Sequence, residues 1–123
     1  YSAGDLENSF HIWLPVTGFI SDGTYFLRPD PDTTITGPGN SWRVLTVAGY
    51  DGSTESLWMD SGRGNARNGV IKPDIAAPAV NVSTIDRFGR GSTLSGTSAS
   101  AALAAGASVL LMEWGEEVII RLR

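Results

Sequence analysis

Gly96-Thr97-Ser98-Ala99-Ser100-Ala101-Ala102-Leu103-Ala104-Ala105-Gly106-Ala107 opens the longest apolar segment of the chain, which runs on through Leu110, Leu111 and Met112 to Trp114. Leu103, Ala107, Leu110, Leu111 and Trp114 recur at the spacing of one helical stripe, and the other side carries Ala, Gly and Ser that allow close packing. The spacing predicts a buried helix from the Gly96-Thr97-Ser98 turn to about Trp114, with Gly115 as its C-cap. The run 99–112, about 14 residues interrupted by Ser100 and Ser108, is too short to span a bilayer. At the start of such a helix a Ser98 hydroxyl stands beside backbone N–H groups without intrahelical partners, at the positive end of the dipole. An acyl-transfer nucleophile uses those features, because an oxyanion forming beside Ser98 can be met by its own N–H. Taken alone, the tripeptide reads first as an N-cap formed by Thr97 or Ser98.

Upstream, Ile71-Lys72-Pro73-Asp74-Ile75-Ala76-Ala77-Pro78 carries two prolines five residues apart, which forbids a regular helix. Val80, Val82 and Ile85 suit a short strand before a loop at 86–92. Residues 43–49, Arg-Val-Leu-Thr-Val-Ala-Gly, are rich in β-branched side chains and nearly uncharged, the pattern of a strand covered on both faces of a parallel sheet. A Gly/Ser-rich loop at 51–56 and a glycine-led turn, Ser61-Gly62-Arg63-Gly64-Asn65, follow it. Residues 16–40 are dense in Gly, Pro, Asp and Thr and mark a domain junction. Before them, Phe10, Ile12 and Leu14 alternate with His11 and Trp13 in the period of a half-buried strand that Pro15 ends.

Composition narrows the function. The chain has 123 residues, 13 Asp+Glu against 9 Lys+Arg, and a net charge of -4. That balance excludes the electrostatic footprint of a nucleic-acid binder and disfavours anionic membrane surfaces. With 41% hydrophobic and 18% charged residues the sequence reads as a folded chain with a core. There is no cysteine and one histidine, so neither a disulfide framework nor a thiolate or histidine-rich metal centre is expected. The first residues, Tyr1-Ser2-Ala3-Gly4-Asp5, lack the basic and apolar regions of a signal peptide and read as a cut within a longer chain.

Three motifs in this order, Arg43-Val44-Leu45-Thr46-Val47-Ala48-Gly49-Tyr50-Asp51, Ile71 to Pro78 as quoted, and Leu94-Ser95-Gly96-Thr97-Ser98-Ala99-Ser100-Ala101-Ala102, resemble the C-terminal third of subtilisin-like serine proteases, over roughly residues 34–115. The resemblance implies an α/β fold: a parallel sheet flanked by helices, with a central buried helix starting at the nucleophile. It makes Ser98 the nucleophile, with Gly96 and Thr97 supporting its turn. It matches Ser61-Gly62-Arg63-Gly64 to the family's Ser-Ser-Arg-Gly turn and places Asp74 in a structural motif before the nucleophile loop. Residues 10–32 are similar to the end of the β domain inserted into Csp-type bacterial subtilases. The organisation so implied is 1–33 as the end of that insertion with its connecting loop, and 34–123 as the C-terminal part of the catalytic domain.

The chain departs from the pattern in three places. Ala102-Leu103 stand where most subtilases have Pro-His after Gly-Thr-Ser-x-Ala-Ala. Ala79 replaces a glycine, which strains a turn if the position needs positive φ. Residues 116–123 do not follow the family's tail. The resemblance further implies that the Asp, the His and the oxyanion Asn lie upstream of these residues, so the chain alone is expected to be inactive. It predicts a polypeptide substrate for the intact enzyme, and association with the rest of the catalytic domain or with itself through exposed sheet edges. It favours an extracellular, envelope or spore location, and no cofactor. A competing reading is a subtilase-like binding or signalling subunit without catalysis.

Other candidates carry blander readings. Asp5 and His11 are six residues apart, too close to be the family's two motifs, and His11 reads as an ordinary strand residue. Asp74 reads as a partner of backbone N–H groups rather than a triad acid. Asp22, Asp30 and Asp32 lack the Gly and bidentate Glu of a Ca²⁺ loop, and no metal is expected. Arg63 reads as holding its loop by charge-assisted hydrogen bonds.

Overall fold

The computed structural model describes residues 11–15 and 18–121. The chain divides into two compact units, Tyr1–Asp30 and Pro31–Arg123. The described residues of the first unit hold no strand. A turn closes from Thr24 N–H to the Ser21 carbonyl at 2.9 Å, and the His11 and Trp13 rings stack with centroids 5.7 Å apart. The strand expected over residues 10–14 is therefore corrected: residues 11–14 are irregular, and Phe10 lies outside the described residues. Alternation marks which side chains could face a core, but a strand exists only where a neighbour accepts its hydrogen bonds.

In the second unit the elements run β1 (Val47–Asp51), β2 (Ser56–Leu57), β3 (Ile75–Pro78), β4 (Val82–Ile85), β5 (Gly91–Leu94) and α1 (Thr97–Arg121). They form a sheet ordered β2-β1-β3 and a separate β4-β5 hairpin. β1 and β3 are parallel, with Val47 opposite Ile75 and Tyr50 opposite Pro78. Residues 43–46, expected as strand, belong instead to a turn and its exit, because Ser41 N–H is taken by the Pro38 carbonyl and Val44 N–H by the Ser41 carbonyl. Asp74 starts the ladder. Its N–H donates to the Thr46 carbonyl at 2.9 Å, and its carboxylate accepts the Thr46 N–H at 2.7 Å. That reciprocal pair fixes the register of the two strands.

β5 begins inside the stretch expected as a loop. The Asp86 carboxylate accepts the N–H groups of Phe88 at 2.8 Å and Arg90 at 3.0 Å, and Gly89 takes φ 77°. The turn is thereby confined to about five residues, and Gly91-Ser92-Thr93-Leu94 pairs back along β4 with Ile85 opposite Gly91. Gly115 does not cap α1, which continues to Arg121. Its φ is not positive, so it stays helical, at a cost of about 1 kcal/mol relative to alanine.

The expectation of a buried helix is corrected most. Of α1, Ala99, Ser100 and Ala104 are buried, whereas Leu103, Val109, Leu110, Leu111, Met112 and Trp114 are exposed. β1 and β3 are the strands that pack on α1, and four or five residues of strand cover only the first turns of a helix about 37 Å long. The core beneath them is built from small side chains: Ala48, Ala66, Ala77, Ala79, Ala99 and Ala104. Ala79 carries no strain. Among the described non-glycine residues, positive φ occurs at Thr33, Glu55 and Asn81 only.

Candidate active site

Ser98 is the second residue of α1 and its side chain is exposed. The turn that delivers it is set by Gly96, whose φ of 150° lies in a region that side chains rarely tolerate. Gly96 N–H donates to the Ala79 carbonyl at 2.8 Å, and its own carbonyl accepts Ala99 N–H at 3.0 Å. Neither Thr97 nor Ser98 acts as a side-chain cap. Among the described residues, neither the Ser98 hydroxyl nor its N–H has a hydrogen-bond partner, and the same holds for the Thr97 N–H. Two unpaired backbone donors at a helix N-terminus, with a free hydroxyl on the second of these residues, are what an oxyanion site requires on the protein side.

Ser98 opens onto a cleft of about 540 Å³. One wall is residues 34–39 and the other residues 44–47, with Gly62, Thr97 and Ala101 completing it. Hydrogen bonds tie the first wall to the second and to the 61–64 turn. Thr46 Oγ1 donates to the Gly39 carbonyl at 2.6 Å. Arg63 N–H donates to Thr34 Oγ1 at 2.9 Å, and Thr34 N–H donates to the Arg63 carbonyl at 2.8 Å. Arg63 thus holds its loop through the main chain, which corrects the expectation of charge-assisted side-chain bonds: its Nε is buried without a partner.

Asp74 is committed elsewhere than to a triad. Beyond Thr46 N–H, its carboxylate accepts Lys72 Nζ at 2.6 Å, and Lys72, itself buried, also donates to the Val44 carbonyl. The Lys72 ammonium first, and the Thr46 N–H second, hold the Asp74 carboxyl below its ordinary value. The unit carrying Ser98 contains no histidine, since His11 is the only one in the chain. Asp5 lies outside the described residues. Among the described residues no three His, Cys, Asp or Glu side chains gather as a metal-binding group, and no helix is long and apolar enough to cross a membrane.

Two further residues, each inside a quoted motif but not singled out there, shape the site. Ser61 is buried and its Oγ accepts Gly49 N–H at 3.0 Å, closing an edge of β1 where no strand pairs. Ser100 is fully buried, with its hydroxyl 2.9 Å from the Pro78 carbonyl and 3.1 Å from that of Ala77. Its one sequence signal is a hydroxyl at the position where the Gly-Thr-Ser-x-Ala-Ala pattern has alanine.

A hydroxyl free at a helix start, beside unpaired N–H groups and over a cleft, on a helix packed against a parallel strand pair, has the form of a serine-hydrolase nucleophile turn. Residues 17–118 match the subtilase family, Peptidase S8, and the chain belongs to that family. It is similar to the serine protease AprX of Bacillus subtilis (strain 168), with 35% identity over 104 residues that cover 68% of this chain and 24% of that protein. The chain spans about a quarter of the length of that relative.

Proposed function

We propose that this chain is the nucleophile-bearing C-terminal part of a subtilisin-like serine endopeptidase, with Ser98 as the nucleophile and Gly96 and Thr97 shaping its turn. The carrying observation is the unpartnered Ser98 hydroxyl, with the free N–H groups of Thr97 and Ser98 at the start of α1, lining the cleft. In the intact enzyme Ser98 Oγ attacks the scissile carbonyl of a polypeptide. A histidine supplied by the rest of the protein takes its proton and passes it to the leaving amine. The Ser98 N–H and an upstream Asn meet the oxyanion, and water then releases the acyl group. A general base must come within about 3 Å of the hydroxyl it activates. The cleft leaves Ser98 open to such a group, and the chain alone is inactive for want of it.

The remainder of the domain is then the partner of the exposed apolar side of α1 and of the open sheet edges, and self-association is the alternative when it is absent. Residues 34–123 are assigned to the catalytic domain and 1–33 to the end of an inserted β domain of the Csp type. The division at Asp30 and Pro31 supports that boundary, while the family match itself reaches back to residue 17. The test is hydrolysis of a denatured protein substrate by the whole protein that contains this chain. The wild type is expected to cleave it and Ser98→Ala to fall to background. A whole protein that binds polypeptide but cleaves none, with or without Ser98, would establish the non-catalytic subunit instead.

A further inference from the structure

Three consecutive carbonyls at and just beyond the end of β3 receive donors from the nucleophile turn. Ala79 accepts Gly96 N–H at 2.8 Å, while Pro78 and Ala77 lie 2.9 Å and 3.1 Å from the Ser100 hydroxyl. A hydroxyl has one proton, so Ser100 serves these two carbonyls in turn. Its side chain is 0% exposed, whereas Ser98, two residues earlier, stands open to the cleft. Ser98 is therefore bracketed by one anchor two residues before it and another two residues after it, both on the same strand end.

A buried helical serine usually satisfies itself on its own helix by bonding to the carbonyl four residues back. Half-buried Ser108 does this, donating to the Ala104 carbonyl at 2.8 Å. Ser100 instead reaches off the helix to β3, and it packs where a Cβ placed on Gly49 would lie 3.4 Å from its Oγ. Its hydroxyl spans two elements. We infer that Ser100 is a positioning residue: by tying the first turn of α1 to the end of β3, it fixes the direction in which the Ser98 hydroxyl and N–H face the cleft. This rests on Ser98 being the nucleophile. Without the tie, the Pro78 carbonyl loses this donor, Ala77 is left with the ladder N–H of Tyr50, and the turn is held only through Gly96, so the reacting hydroxyl samples orientations that do not lead to attack.

Ser100→Ala tests it, a small replacement at a helical position that alanine favours. In the whole protein, with a fluorogenic peptide, kcat is expected to fall about three- to tenfold with KM within about twofold. A merely structural role would lower the melting temperature and leave both constants unchanged, which would overturn the inference. Ser98→Ala is measured beside it. If Ser98→Ala keeps activity, the nucleophile assignment fails. If Ser98→Ala is dead while Ser100→Ala matches wild type, the positioning role alone fails. A second readout needs no turnover: in the whole protein the backbone order parameter of Ser98 is expected near 0.85, the rigid value, and about 0.1 or more lower in Ser100→Ala. An unchanged order parameter overturns the positioning role whatever the kinetics.

Discussion

Gly96 turns the chain into α1 with φ 150°, and any side chain there must either strain the turn or shift it. Gly96→Ala is expected to destabilise the protein by about 1–3 kcal/mol, read as a lowered urea midpoint at unchanged slope. An unaltered midpoint would show that the turn tolerates another backbone conformation. Asp74 sets a second test, in pH. Lys72 and then Thr46 N–H depress its carboxyl below the ordinary 3.8. A group depressed in the folded state contributes stability above its unfolded value, and that contribution is lost as the pH falls through the lowered one. Asp74→Asn should therefore flatten the fall of melting temperature below pH 3.8. It should not abolish it, because hydrogen bonds from Arg90 and Ser53 also depress Asp86 and Asp51. An acid limb identical to wild type would contradict the pairing. At this scale the order of Gly96, Thr97 and Ser98 marked the turn that opens α1. The partners of Ser61 and Ser100 stayed hidden, because a serine among glycines or alanines shows neither which backbone group it bonds nor that it is buried.

At the level of elements, α1 rests on the β1–β3 pair through one tight crossing. A Cβ on Gly49 would lie 2.6 Å from the Ala79 Cβ and 3.3 Å from Thr97 Cγ2. Gly49→Ala is expected to cost about 1–3 kcal/mol through overpacking. Ala79→Gly, by vacating the nearer position, should recover part of that loss in the double variant. A chemical-denaturation double-mutant cycle reads the coupling, and strict additivity would mean that the two positions do not meet. β1 as a strand of a parallel sheet and the start of α1 were legible, since a β-branched run and a Gly-Thr-Ser turn are local signals; β3 was not, because Ile75-Ala76-Ala77-Pro78 announces only that it is no helix. The end of α1 was not, because Gly115 can continue a helix as well as cap it. β5 was not legible either: Gly91-Ser92-Thr93-Leu94 has no alternation, and it is the Asp86 turn that folds it back.

At the scale of the molecule, the buried apolar side chains among the described residues are alanines, while Leu110, Leu111 and Trp114 on α1 remain uncovered at 65–67% exposure. The apolar stripe was correct as a sequence pattern, but burial depends on what lies against a helix, which its own residues do not encode. Such a surface exceeds the scattered apolar exposure of ordinary monomers. The purified chain is expected to form dimers or larger species in light scattering coupled to size exclusion. A monodisperse, stable monomer across the micromolar range would contradict the assignment of that face to the remainder of the domain.

The central claim is that Ser98 is a nucleophile activated only from outside this chain. Labelling with a serine-directed phosphonate, followed by peptide mapping, tests it most directly. The account predicts a stoichiometric adduct on Ser98 in the whole protein and none on the 123-residue chain alone. An adduct on another serine, no adduct in the whole protein, or equal labelling of the isolated chain would contradict it.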